Sequence, residues 1–503
     1  MQSTALPSTL TNEVRYDLDK VLDILAISLL LIYWMAFITL SPTRLSTSIV
    51  DDSYIFQKVV DNLWEGRGWT YNPGTQVNPI TSPFYAFVLL VAKAFGAQAP
   101  TTISACYIFG LIALGVGVYF GMRKSHDQVL SWLMAALVSS TFVLTNSWGM
   151  ETSIFLACLV WAVLTFVNQQ YLVSGLLCAC AALSRPEGLA LIGILAGTHW
   201  LKERRILWGM VGIFAVVLLP WLVFSWLAYG HILPNSVSVK AMQHDIGWFK
   251  TQPSWLRFFL SQPRVAWLTY PLAALGFYQA GRAYWRGDRF VALVILFGLV
   301  QASAYAIMNA PPGYLWYVAP GNLAVDMAVI LGAFWLWQKG SPSLSRKVLA
   351  QLQKPLIGML VFLVAMVGLS RLTISPVSLI KPYRLTTEYT LAGEWINNHT
   401  PAHYIVAATE IGYLGYFSKR EIRDIHGLIH PEALPSLKRE EWDWWFKTKP
   451  PDIIVVHSPP WSGEPSDTAG WPAKSLEDFR TGYEKVASFG TVDIYQTTKP
   501  ASP

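Results

Sequence analysis

DDSYIFQKVVDNLWEGRGWTYNPGTQVNPITSP occupies Asp51–Pro83. Two adjacent acids open the stretch, directly after the first long apolar run of the chain. The segment 53–65 that follows is amphipathic. As a helix it sets Ile55, Val59, Asn62 and Leu63 roughly on one side and Lys58, Asp61 and Glu65 elsewhere. It is too short to cross a bilayer and reads as a helix lying in the interface. GRGWTYNPG then supplies glycines and a Pro-Gly turn, the chemistry of a loop that can approach a ligand closely.

Outside this stretch charge is scarce. Of 503 residues, 53% are hydrophobic and 14% charged, against about 25% charged in soluble domains. With a mean hydropathy of +0.37, the chain belongs to the membrane class. Spans are expected at 21–40, 101–122, 128–146, 152–169, 206–228, 264–280, 290–308, 316–337 and 355–374. The region 171–200 is apolar except for SRPEG at 184–188 and reads as two short helices broken at Arg185-Pro186. A broken helix at membrane depth is tolerated where it lines a cavity or is buried in protein. The expected total is eleven spans. Polar residues including Arg15 and Lys20 precede the first run, which is therefore read as a permanent span rather than a cleaved leader.

Short basic loops at Arg123-Lys124, Lys202–Arg205, Arg282–Arg289 and Lys339–Lys354 set the orientation, because cytoplasmic loops collect Lys and Arg. The loop 41–100, the turns at 146–153 and at SRPEG, the loop 229–262, NAPPGYLW at 309–316 and the tail after about 375 then share the outer face. The map requires 81–96 not to span. A net charge of +6 is small for this length and sits largely in short loops, so no nucleic-acid partner is expected. Cys106, Cys158, Cys178 and Cys180 all lie in apolar stretches and do not form a disulfide framework.

Residues 376–503 change character, and a soluble α/β domain is expected there beside a transmembrane domain over 1–375. IVAAT at 405–409, DIIVVH at 452–457 and TVDIYQT at 491–497 read as strands. The stretches 386–399 and 431–447 read as helices, the second opened by proline.

Unusual polar residues collect on the expected outer face. Asp51 and Asp52 repel each other beside a membrane, so one of them is expected to hold its proton to higher pH, as a general base near neutrality does. Either acid equally suits the start of helix 53–65, where negative charge is favoured. Glu151 in GMETS stands where a carboxylate is rare unless paired, functional or capping a helix. Arg185 and Glu187 put a cation and an anion at the helix break: a mutual ion pair, or an anion site aided by the positive end of helix 187–200. Asn235 and Lys240 in PNSVSVK offer a second phosphate contact or a solvated cation. Tyr314 and Trp316 suit either an aromatic belt or a ligand wall. The nine histidines form no ligand spacing, and no nucleotide-binding fingerprint is present. A divalent cation at Asp51/Asp52 is compatible with the acids but not demanded by them.

The ordered set DDSYI, YNPGTQVNPITSPF, GMET, SRPEG, PNSVSVK and EIGYLGYFSKREIRDIHGL resembles the GT-C membrane glycosyltransferases. It most resembles the terminal arabinofuranosyltransferases of actinobacterial cell-wall synthesis and their pilin-modifying relatives. The resemblance covers about 50–430. It implies a GT-C fold, a catalytic acid at Asp51 or Asp52, and a polyprenyl-phosphate sugar donor whose phosphate meets Arg185 and Lys240. The expected reaction moves D-arabinofuranose to a periplasmic glycan or protein, pilin included, at a bacterial inner membrane. Mannosyl or aminoarabinosyl transfer, or a lipid-linked sugar flippase, are the alternatives. Sugar or acceptor contacts are expected at Tyr54, Asn78, Thr81, Glu151, Glu187, Asn235, Tyr314 and His426, with Tyr413 and Tyr416 as further glycan candidates.

Overall fold

A computed structural model of the chain describes residues 23–24, 27–28, 31–32, 49–96, 98–126, 128–245, 254–260, 266–308, 310, 314–340, 386–466 and 470–498. Most of the expected first span, the whole of the span at 355–374 and the domain boundary near 375 lie outside the described residues.

Helix α1 spans Asp51–Trp64, with both acids in its first turn and no side-chain cap before them. The position suits them, since exposed amides and the helix dipole favour negative charge there. The helix does not lie free in an interface. It is buried along most of its length: Tyr54, Ile55, Phe56, Val59 and Val60 are all buried. Beyond it the loop is tied down. Asn62 Nδ2 donates to the carbonyls of Thr70 (2.8 Å) and Tyr71 (2.9 Å). Gly74, at φ +85°, supplies the left-handed step of the Pro-Gly turn. Helix α2, Pro83–Lys93, has 11 residues. At about 1.5 Å per residue it falls well short of a bilayer core of about 30 Å.

The apolar helices follow in order: α3 (Ala99–Arg123), α4 (Gln128–Val138), α5 (Phe142–Thr145), α6 (Thr152–Val167), α7 (Tyr171–Ser184), α8 (Leu189–Glu203) and α9 (Trp208–Tyr229). After these come α10 (Asn235–Asp245), α11 (Trp255–Leu260), α12 (Ala266–Trp285), α13 (Phe290–Ile307) and α14 (Leu315–Gly340). Among the described residues α3, α9, α13 and α14 are long and apolar enough to cross a membrane. The expected span 128–146 is two pieces, α4 and α5. Ser139 and Ser140 turn their hydroxyls onto the carbonyls of Ala135 (2.8 Å) and Ala136 (2.7 Å), a competition that weakens a helix at that point. The break at Arg185-Pro186 is where the sequence puts it. Proline disfavours the helical region for the residue before it, and Arg185 is extended (φ −153°, ψ 135°) ahead of a 3-10 turn over Pro186–Gly188.

The C-terminal domain opens with α15 (Thr386–His399), followed by β1 (Ile405–Ala408), α16 (Gly412–Ser418) and β2 (Glu421–Asp424). Then come α17 (Leu434–Lys438), α18 (Trp444–Thr448), β3 (Ile453–His457), α19 (Ala473–Gly482), β4 (Tyr483–Phe489) and β5 (Val492–Thr497). The sheet order is β2-β1-β3-β5-β4. β2, β1 and β3 run parallel, while β5 is antiparallel to both β3 and β4. β1 and β3 are buried throughout, as apolar strands covered on both faces are. The single helix expected over 431–447 is instead a 3-10 turn at Pro431–Ala433, then α17 and α18. The left-handed Glu440 (φ 59°) lies between the two helices.

The first loop and this domain interlock. Asn72 donates to the Ile422 carbonyl (2.8 Å) and accepts from the Ile422 amide (3.1 Å), so one side chain extends the edge of β2. Tyr71 Oη donates to the Ile411 carbonyl at 2.5 Å, and Tyr413 Oη to the Ile49 carbonyl at 2.9 Å. At Gly412 the fit leaves no room for a side chain: a Cβ there would collide with the Asp51 carbonyl oxygen.

Candidate active site

Asp51 and Asp52 are adjacent in α1 but face different surroundings. Asp51 is 4% exposed. Its two carboxylate oxygens accept from the backbone amides of Gly412 (2.7 Å) and Tyr413 (2.8 Å). It therefore satisfies the start of α16, a helix 361 residues away, rather than its own. Burial pushes its pKa up to about 6; the Tyr413 amide pulls back and the charge of Asp52 adds. Glu410, just before α16, is raised well above the usual carboxylate range, first by burial and then by Asp51. In the pair, Glu410 keeps the proton and donates it to the Asp51 carboxylate.

This pair has a testable sign. Folded Asp51 holds its proton to higher pH than the unfolded chain, whose carboxyl ionises near 3.8. The folded state is therefore favoured at low pH. It loses about 3 kcal/mol as the pH rises from about 4 to about 6. Thermal unfolding across that range should show a falling Tm in the wild type and a flatter profile in Asp51→Asn. A flat wild-type profile contradicts the pairing.

Asp52 instead lines a cavity of about 670 Å³. Stretches far apart in the chain meet there: Ile55 and Phe56 of α1, Pro79–Thr81, Met150 and Glu151, Arg185–Glu187, Ser236 and Lys240 of α10, and Trp316 and Tyr317 of α14. The C-terminal domain contributes Ile411, Leu428 and Ile429 from the carboxyl ends of β1 and β2, the end of a parallel sheet where ligands bind. Leu189, Ala190, Val300, Ala304 and Met308 form an apolar flank between α8 and α13.

The charges inside are ordered. Arg185 is 4% exposed and held between two carboxylates, Glu151 (Nη1–Oε1 2.6 Å) and Glu187 (Nε–Oε1 2.5 Å). Its guanidinium lies 5.2 Å from the centre of the Tyr317 ring. Lys240 differs. Among the described residues no carboxylate lies within ion-pair distance of it. Its ammonium sits among the rings of Tyr314 (4.6 Å), Tyr317 (5.5 Å) and Trp316 (5.9 Å), near enough to Asp52 for their charges to interact. A half-buried cation over aromatic faces gains roughly 1 kcal/mol, and its charge is available to an incoming anion.

Six of the expected site residues therefore share one cavity: Asp52, Thr81, Glu151, Arg185, Glu187 and Lys240. The others do not line it. Asp51 binds the amides described above. Tyr54 packs its ring against Tyr413, Tyr416 and Phe417, which also places those tyrosines in the domain junction. Asn78 is fully buried in the loop between α1 and α2. Asn235 donates to the carbonyls of Gly427 (3.0 Å) and Leu428 (2.8 Å) and so anchors the cavity loop. Tyr314 stands behind Lys240. His426 turns to the Ser462 carbonyl (3.1 Å). The acid pair does not fit a divalent cation, because both Asp51 oxygens are taken by amides. No cluster of three or more His, Cys, Asp or Glu able to hold a metal occurs among the described residues. Glu410, Gln301 and Tyr317 belong to the site without being among the residues expected from sequence. Gln301 carried a signal, being the one amide side chain in the otherwise apolar α13.

A domain of unknown function (DUF8728) matches residues 381–501. No curated protein matches the chain. Among solved structures, ArnT from Cupriavidus metallidurans bound to undecaprenyl phosphate is 12% identical, with a TM-score of 0.59 over 95% of this chain and 99% of that one. Its apo state gives a TM-score of 0.56 at 12% identity, over 97% and 98% of the two chains. The archaeal oligosaccharyltransferase AglB from Archaeoglobus fulgidus, in complex with an inhibitory peptide and a dolichol-phosphate, gives 0.54 at 12% identity over 95% and 75%. The fold is that of the GT-C membrane enzymes, with a C-terminal domain built on a sheet.

Proposed function

We propose that this protein is a membrane glycosyltransferase that moves a sugar, D-arabinofuranose first among candidates, from a polyprenyl monophosphate to a hydroxyl of a glycan or protein acceptor such as pilin. The observation that carries the reading is the division of labour in the acid pair. Asp52 faces a cavity holding Arg185 and Lys240, while Asp51 is bonded away from it. The phosphate meets Lys240 first and Arg185 beside it. The polyprenyl chain leaves along the apolar flank between α8 and α13. Asp52 takes the proton of the acceptor hydroxyl as its oxygen bonds to the anomeric carbon. The bond from that carbon to the phosphate oxygen breaks, and its electron pair leaves on the lipid phosphate. Lys240 and Arg185 stabilise the charge that develops there, a contribution that often dominates catalysis. The chemistry belongs on the periplasmic side of a bacterial inner membrane, as the distribution of basic loops indicates.

A second reading differs only in the sugar. Three carboxylates, Asp52, Glu151 and Glu187, face two cations in the cavity, an excess that suits an aminosugar bearing an ammonium. Purified protein given polyprenyl-phosphate arabinofuranose, aminoarabinose and mannose side by side decides between them. Arabinofuranosyl transfer is the expected result. Transfer of none of the three, with the lipids merely moved across vesicles, overturns the enzyme reading in favour of a flippase.

A further inference from the structure

The cavity contains buried polar atoms that the transfer steps above do not use. Gln301, on α13, is 3% exposed. Its amide nitrogen donates to the Tyr317 carbonyl at 2.8 Å, which fixes the orientation of the amide: the carbonyl oxygen must point the other way. That oxygen is buried and has no hydrogen-bond partner. Glu151 is alike. One carboxylate oxygen binds Arg185, and the other is buried and unpartnered. Ser236 Oγ is a third such atom, and all three residues line the same cavity. Buried acceptors are nearly always satisfied, and leaving one without a donor costs about 1–3 kcal/mol.

Gln301 Oε1 is an acceptor only, and so is Glu151 Oε2 as part of the carboxylate ion-paired with Arg185. Whatever completes them must donate. An ionised phosphate diester has no proton to give, and a polyprenyl chain has none. A sugar has several hydroxyls. Resting on the glycosyltransferase reading, we infer that Gln301 Oε1 and Glu151 Oε2 accept hydrogen bonds from hydroxyls of the sugar being transferred, and that Gln301 is a specificity-determining residue. The geometry accounts for an amide in an apolar helix. One end of the amide ties α13 to the start of α14, and the other reads the sugar. Ser236, which can donate or accept, adapts to whichever group lies opposite.

The test separates sugar from lipid. Binding of undecaprenyl phosphate and of the same lipid phosphate carrying arabinofuranose is measured for the wild type and for Gln301→Met, a substitution of similar size without polar atoms. The expected result is a loss of about tenfold for the sugar-bearing lipid, the equivalent of one hydrogen bond of about 1.4 kcal/mol, with undecaprenyl phosphate bound as by the wild type. Retained lipid binding also reports a folded cavity. A deoxy donor lacking the contacted hydroxyl should bind both proteins equally. Equal binding of the sugar-bearing lipid by wild type and variant overturns the inference, and so does an equal loss for both lipids, which marks a structural role. Failure of the wild type to bind either lipid overturns the glycosyltransferase reading itself, and the inference with it.

Discussion

Asp52→Asn is expected to lower the rate of sugar transfer by about 10²–10⁴, the range a general base contributes, while leaving lipid binding and thermal stability close to wild type. Asparagine keeps the size and one acceptor oxygen but cannot take the acceptor proton. The neighbouring change should behave in the opposite way. Asp51 accepts two amides at the start of α16 (2.7 and 2.8 Å) and lies outside the cavity. A charged group contributes about 1.5–3 kcal/mol per hydrogen bond, so Asp51→Ala should act chiefly on stability and on docking of the C-terminal domain. Transfer rates measured per folded molecule, beside Tm, distinguish the two. Equal rate losses for both variants would mean that the acids work as one unit.

Lys240→Met carries the second large effect. The ammonium is enclosed by Tyr314, Trp316 and Tyr317 and is the cavity cation without a carboxylate partner among the described residues. Arg185 is held by Glu151 and Glu187, which limits what it adds toward a phosphate. Removing one donor aimed at developing charge costs about 10²–10³ in kcat, and Lys240→Met should fall in that range. Lys240→Arg keeps the charge and should recover part of the loss. Its planar fork fits the space among three rings less well than a point charge does. Steady-state kinetics with a saturating lipid donor check this, and a KM effect with unchanged kcat would assign Lys240 to ground-state binding alone.

Local chemistry was the readable part of this chain. The break at Arg185-Pro186 follows from proline alone, and α2 is too short to span whatever surrounds it. β1, β3 and β5 show as apolar or alternating runs. β2 and β4 do not, because EIRD and YEKVASF mix charge into exposed positions of strands. Convergence of the polar stretches was legible for the same reason that made them stand out: carboxylates and cations in an apolar chain need partners. Which acid of the pair does what was not legible. The amides that claim Asp51 come from Gly412 and Tyr413, and no local pattern near Asp51 announces them. Arg185 stood out in sequence over Lys240 because it sits at a helix break. Only packing shows that Arg185 is already flanked by two carboxylates and that Lys240 is ringed by aromatics contributed by α14 and the residue before it.

One cavity, with Asp52 and Lys240 at its polar end and the α8–α13 flank at its apolar end, is proposed to receive a lipid phosphate. A structure of the protein with bound undecaprenyl phosphate is the decisive measurement. The phosphate is expected within hydrogen-bond distance of Lys240 Nζ, between Asp52 and Arg185, with the isoprenoid chain running past Leu189 and Met308. Phosphate density away from Lys240, or a lipid confined to the outer surface of the helices while the cavity holds only solvent, would contradict it.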